Sequence, residues 1–159
     1  MKNKLGLNEY KLLDIERKIV NTKLNLLDEY FTFNELKFDF EYIKQLHNFL
    51  FCEFYYEEDL GTRIIAEEEI KLINNYLNEI NYICINKGNS DEVLNIIKKV
   101  WYLQPFIVGN TRTLIAYLKI LDSAFLLNLN INVNIEIENN PTIFNTWKTV
   151  NQKRLTKVK

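Results

Sequence analysis

The chain has 159 residues, 47% of them hydrophobic and 26% charged, which is enough apolar material for one domain with a core and excludes a disordered chain. Its formal net charge of −1 excludes nucleic-acid binding driven by bulk charge. Two cysteines, Cys52 and Cys84, lie in apolar runs without metal-ligand spacing; both are expected as buried free thiols, which fits a reducing cytoplasm.

The N-terminal Met1-Lys2-Asn3-Lys4 is basic, and no apolar signal core follows it. From Leu7 to Phe31 apolar residues recur every three or four positions (Leu12, Ile15, Ile19, Leu26, Leu27, Tyr30), which predicts one long amphipathic helix. A second helix is expected from about Phe40 to Phe54, with Tyr42, Ile43, Leu46, Phe49 and Leu50 as its inner face. Tyr55 to Ala66 contains Gly61 and the strand-prone Thr62-Arg63-Ile64-Ile65, and reads as a short extended or hairpin segment. Glu67-Glu68-Glu69 then suit a helix N-terminus, and Lys87-Gly88 mark its end.

Ser90 is the expected N-cap of a fourth helix, with Asp91 and Glu92 in its first turn, and Pro105 ends it. A fifth helix opens near Asn110 or Thr111 and reaches about Asn128. It is apolar nearly all round (Leu114, Ile115, Leu118, Ile120, Leu121, Phe125, Leu126), so it belongs at the centre of a bundle. Lys119, Asp122, Ser123 and Asn128 interrupt that stretch, which excludes a membrane span. Ile131, Val133, Ile135 and Ile137 alternate with polar residues as in a short strand, and Pro141 or Thr142 opens a last helix carrying Ile143, Phe144, Trp147 and Val150.

The loop Gln104-Pro105-Phe106-Ile107-Val108-Gly109-Asn110-Thr111-Arg112 carries the most chemistry. It holds one of two prolines and one of four glycines, and its second half opens a helix. A helix start offers free N–H groups and a positive dipole end; Gly109 admits close backbone approach, and Arg112 adds a planar cationic fork. Read locally, the same residues make a helix–loop–helix turn: Gly109 supplies the turn, Asn110 caps, and Arg112 pairs with a carboxylate.

These nine residues resemble the signature of the Fic (Fido) family, His-x-Phe-x-(Asp/Glu)-Gly-Asn-(Gly/Lys)-Arg, which lies between two core helices. Pro105 and Phe106 match its common His-Pro-Phe form, and Gly109-Asn110-Thr111-Arg112 is similar to its phosphate-holding segment. Leu46-His47-Asn48-Phe49-Leu50-Phe51, followed by Gly61-Thr62-Arg63, resembles the helix that leads into the family's target-docking hairpin, the flap. The resemblance spans about Tyr42 to Leu129 and implies a mainly α fold. It implies one Fic-like helical bundle over 1–159, with a flap hairpin at Gly61, Thr62, Arg63 and Ile64, to which the alternation at 131–137 adds one short C-terminal strand.

Members of that family transfer AMP from ATP to a hydroxyl group of a target protein. Their histidine is the general base, their acidic residue holds Mg²⁺, and the Gly-Asn-x-Arg segment holds the phosphates. The resemblance therefore implies Gly109, Asn110, Thr111 and Arg112 as nucleotide- or phosphate-binding residues, ATP as the nucleotide, and a protein target or regulator as partner. Two departures fall on the chemistry. Gln104 stands at the base position, and a carboxamide is not basic near neutral pH; loss of a general base costs roughly two to four orders of magnitude in rate. Val108 stands at the metal position, where an alkyl group offers no oxygen to Mg²⁺, so no metal ligand is assigned. Ile115 also stands where many members carry a second arginine.

The expectation is weak or no transferase activity with a retained capacity to hold a nucleotide or phosphate, in the cytoplasm, without a membrane or nucleic-acid partner. The alternative is a non-catalytic module that binds a protein through the flap segment. His47, the single histidine, is expected to pack or cap rather than catalyse, and one histidine without clustered cysteines argues against zinc. Tyr55, Tyr56, Trp101, Tyr102 and Trp147 read mostly as core. Seven acids and one base between Glu53 and Glu69, against five bases and no acid from Lys148 to Lys159, read as a solvated face and a basic tail. The sequence contains no convincing copy of the Ser/Thr-x-x-x-Glu-(Gly/Asn) inhibitory motif that some family members carry.

Overall fold

The computed structural model describes residues 3–30, 35–55, 66–127 and 129. Within them lie six helical elements: α1 (Glu9–Asn25), α2 (Leu27–Tyr30), α3 (Phe40–Phe51), α4 (Glu67–Ile85), α5 (Ser90–Tyr102) and α6 (Asn110–Phe125). The molecule is mainly α, as the periodicity predicts. The flap at Gly61, Thr62, Arg63 and Ile64, the strand at 131–137 and the helix opening at Pro141 lie outside the described residues. No described helix is long and apolar enough to cross a membrane.

Side-chain caps fix several boundaries. The Asn8 carboxamide accepts from the Lys11 amide at the start of α1, and the Asp39 carboxylate accepts from the Tyr42 amide at the start of α3. The first long helix is broken: Leu26 leaves the helical region at φ −106° and its amide bonds back to the Lys23 carbonyl, so α2 starts afresh with Leu27 turned inward. Asn89, not Ser90, caps α5, its side chain accepting from the Asp91 amide. The expected stop after α4 is present one residue early. Lys87 takes the left-handed conformation at φ 54°, and the Gly88 amide reaches the Ile83 carbonyl at 2.8 Å. α3 and α6 end at Phe51 and Phe125, short of the expected Phe54 and Asn128. At Leu126 a left-handed residue closes α6.

α6 is the centre of the bundle, buried in an unbroken run from Thr113 to Leu118. A helix buried on all sides needs neighbours on all sides, and α2, α3 and α5 supply them, with α1 and α4 packed outside on α3 and α4 also on α5. The ends are tied by polar contacts: the Tyr117 hydroxyl donates to the Lys37 carbonyl at 3.0 Å, and the Phe40 amide to the Asn74 side chain at 2.9 Å. The N-terminal segment runs along the end of α3, where the Lys4 amide donates to the Phe54 carbonyl at 2.7 Å and Asn3 makes an antiparallel bridge to Tyr55. Both cysteines are free thiols; Cys84 is buried as expected, but Cys52, just past the end of α3, is only half-buried.

Candidate functional site: the loop between α5 and α6

After Tyr102 the chain leaves α5 through Leu103 and reaches Gln104 at φ 47°, a left-handed conformation uncommon for a residue other than glycine; helices rarely continue into the residue before a proline. Pro105 and Phe106 then turn inward and are buried, Ile107 stands half out in water, and Gly109 at φ 81° redirects the chain into α6. Only glycine suits that last position on two counts. A Cβ there would need the unfavourable left-handed region and would meet the Phe51 ring at 2.4 Å.

The loop holds its shape through its own polar groups. Asn110, buried at the first position of α6, accepts from the Phe106 amide at 2.9 Å and donates back to the Phe106 carbonyl at 2.9 Å. Its amide also donates to the Gln104 side-chain oxygen at 3.1 Å, and the Gln104 amide donates in turn to the Trp101 carbonyl at 2.9 Å. Thr111 accepts from the Trp101 indole at 2.9 Å, and the fully buried Thr113 hydroxyl donates to the Gly109 carbonyl at 2.7 Å. Gln104, Asn110 and Thr111 thus join the end of α5 to the start of α6.

His47 grips the loop from α3. Its ring is 1% exposed, stacks on Phe106 at 4.0 Å between centroids and 3° from parallel, and meets Phe51 at 5.1 Å. Its Nε2 lies 2.7 Å from the Val108 carbonyl oxygen. A carbonyl only accepts, so Nε2 carries the proton. Burial holds the imidazole below its usual pKa, opposed by the bond to Val108 and reinforced by the Arg112 charge. This is the packed role expected of the residue; its imidazole anchors the loop backbone. The Val108 side chain packs against the edge of the core.

Arg112 points from the first turn of α6 to α1. Its guanidinium donates to one oxygen of the Glu16 carboxylate and lies 4.9 Å from the Phe51 ring centroid. The other Glu16 oxygen accepts from the Tyr55 hydroxyl at 2.5 Å. Burial, then the bond to Glu16, pushes the Tyr55 hydroxyl far above its usual pKa, so it stays a donor. Glu16 is buried and Arg112 retains about a fifth of its exposure (21%). No side chain caps the α6 N-terminus, and its first turn carries no acid. Among the described residues no group of three or more His, Cys, Asp or Glu side chains is arranged to hold a metal ion.

No family model matches this chain, and comparison with curated proteins and with solved structures gives no match. The site therefore rests on its own geometry.

The loop assembles the residues singled out at 104 and 109–112 into one corner with His47, Phe51 and Phe106. The residue missed in the sequence is Glu16. Its signal was an acid within a four-residue apolar stripe: Leu12, Glu16, Val20 and Leu24 are the four buried residues of α1. A charge at such a position requires a partner, and Arg112 supplies it. Of the aromatic residues read as core, Tyr55 and Trp101 are buried, whereas Tyr102 is exposed; Tyr56 and Trp147 lie outside the described residues.

Proposed function

We propose that this chain is a Fic-type helical domain without effective transferase activity, whose loop 104–112 is a closed structural joint. The observation that carries this reading is what the loop's polar groups are engaged in. The Gln104 amide bonds Trp101 and Asn110, and the Arg112 guanidinium is engaged by a buried carboxylate. Gln104 offers no base, and Val108 offers no oxygen to a hard cation. A phosphate group seeking Arg112 competes with Glu16, which is always present at contact distance. Retained binding of ATP or phosphate is accordingly weak, and it does not depend on Mg²⁺.

Labelled ATP incubated with the full chain and a cell lysate, with and without Mg²⁺, tests the reading. Little label should pass to protein in either case; robust Mg²⁺-dependent labelling overturns it. Calorimetry against ATP should give a weak heat that Mg²⁺ leaves unchanged.

Without transfer chemistry, the work left to such a domain is binding a protein target or regulator. Gly61 to Ile65 carry that role in this reading, by adding a strand to a partner chain. The support is the strand-prone sequence alone. Unchanged partner capture by Thr62→Pro and Ile64→Pro variants argues against strand addition.

A further inference from the structure

His47 joins two facts that conflict at low pH: from α3 it bonds the backbone of the α5–α6 loop, and it has almost no contact with water. We propose that His47 is a proton-operated latch on residues 104–109, closed when the imidazole is neutral and released when it is protonated.

The geometry argues the closed state first. A neutral ring with its proton on Nε2 satisfies the Val108 carbonyl, stacks flat on Phe106 and adds no second positive charge beside Arg112. Protonation adds a positive charge to a ring that is 1% exposed, and a buried charge without a counter-charge is costly. The charged groups at this corner do not supply one. Arg112 from α6 is itself a cation, and the Glu16 carboxylate from α1 is engaged by Arg112 and Tyr55. α3 contributes Lys44 one turn earlier, paired to Glu41 at 2.5 Å. The face that α4 buries is Ile73, Leu77, Ile80 and Cys84, with burial keeping that thiol neutral up to about 11. α5 buries only apolar and indole side chains, and the loop from Gln104 to Gly109 has no charged residue.

The least costly way to hydrate the ring is to move the loop. Residues 104–109 reach the core only through Pro105, Phe106 and the edge of Val108, whereas α3 is anchored by Ile43, Leu46, Leu50 and Phe51. Local opening of a loop held by few apolar contacts lies below global unfolding in free energy. Release bares the Phe106 and Phe51 rings beside the already exposed Ile107, an aromatic surface that the neutral protein hides. This latch holds whether or not the family reading of the loop is right.

The sign follows from proton linkage. The closed state disfavours the proton and the open state binds it at about the ordinary histidine value of 6.5, so opening is favoured as pH falls below that value. It levels off once the closed state also takes up the proton. Exchange of the Phe106 amide, whose acceptor is Asn110, reads the opening directly.

The test is amide exchange of the intact chain from about pH 7 down to about pH 4, corrected for intrinsic rates, with His47 titrated in parallel by its ring proton shifts. Below about 6.5 the opening of Phe106 should rise by up to tenfold per pH unit, one proton being linked, while Ile80 and Leu77 in α4 keep their protection. His47→Gln, which keeps a side-chain N–H donor and cannot titrate in this range, should show a flat profile. Loss of protection at Phe106 and α4 together, or a Phe106 profile unmoved by pH, overturns the latch. If His47→Gln fails to fold, the unaltered protein still decides. The pH at which opening levels off must match the His47 midpoint, and a mismatch overturns the proposal.

Discussion

Glu16 and Arg112 lie 96 positions apart and meet as an ion pair in which the carboxylate is almost fully buried. Glu16 comes from the middle of α1 and Arg112 from the first turn of α6, so one contact fastens the first helix to the central one. The same carboxylate takes the Tyr55 hydroxyl, and the same guanidinium covers Phe51. Both oxygens of Glu16 are thereby used, which makes a buried acid tolerable.

Arg112→Ala leaves that acid buried without its cation. Breaking a buried pair from one side costs about 3–5 kcal/mol, and the partial exposure of Arg112 puts the expected loss at the lower end. Urea unfolding of Arg112→Ala against Glu16→Gln checks it. Glu16→Gln removes the charge together with the bond and should be the milder change. If both variants unfold at the unaltered midpoint, the pair contributes nothing.

Asn110→Asp keeps the acceptor for the Phe106 amide but replaces a donor shared between two oxygens with a carboxylate. The Phe106 carbonyl and the Gln104 oxygen would then face negative charge in a buried corner. A buried unsatisfied acceptor costs about 1–3 kcal/mol, more when the intruding group is charged. The thermal midpoint should fall clearly for Asn110→Asp, and by less for Gln104→Ala, whose side chain is only half-buried.

Gly109→Ala meets two penalties at once. The left-handed backbone costs a non-glycine residue about 1–2 kcal/mol, and crowding against the Phe51 ring adds about 1–3 kcal/mol. A double variant, Gly109→Ala with Phe51→Leu, separates them. It relieves the crowding and leaves the backbone cost, so its change from Phe51→Leu alone should be smaller than the change made by Gly109→Ala alone.

Alkaline titration has a defined direction. Burial, with a smaller push from Glu35, raises the Tyr42 hydroxyl to about 12, and burial raises the Cys84 thiol to about 11. In the unfolded chain both lose their protons at lower pH. Between those ordinary values and the raised ones the native state holds more protons, so stability falls as pH rises through the window. Far-UV circular dichroism should show base-induced unfolding accompanied by the rise of tyrosinate absorbance. Full tyrosine ionisation with the helical signal intact runs against it.

Gln104→His should not by itself produce a transferase. It replaces a carboxamide with a base, but Val108 still offers no oxygen ligand, and Arg112 remains held by Glu16. Label transfer from ATP is expected to stay at background in this variant. Strong labelling would instead assign a retained donor site to the loop.

Much of the helical framework was legible because it depends on neighbours in sequence. The three- and four-residue spacing, the acids at Glu67–Glu69 and the break at Lys87-Gly88 together bound α4 to within a residue or two. Gly109 was legible as a turn because it acts within a few positions of itself; Asn110, read as a cap, instead opens α6 and turns its side chain back to Phe106, while Gly109 takes the cap position without a side chain. Glu16 was not, since its interruption of an apolar stripe names a need and not a partner. The role of His47 was likewise hidden until α3 and the loop were brought together, 61 positions apart. The break at Leu26 has no proline or glycine to announce it, because inward packing of Leu27 sets it.

The Glu16–Arg112 contact also sets an order on chain synthesis. α1 leaves the ribosome early, carrying an acid on the face it must bury, and its cation is not made until most of the described chain has been translated. Until then α1 docks only at the expense of an uncompensated charge. Among the described helices α1 is therefore expected to lock only once α6 has been made, and a nascent chain stopped before residue 112 should hold it loosely.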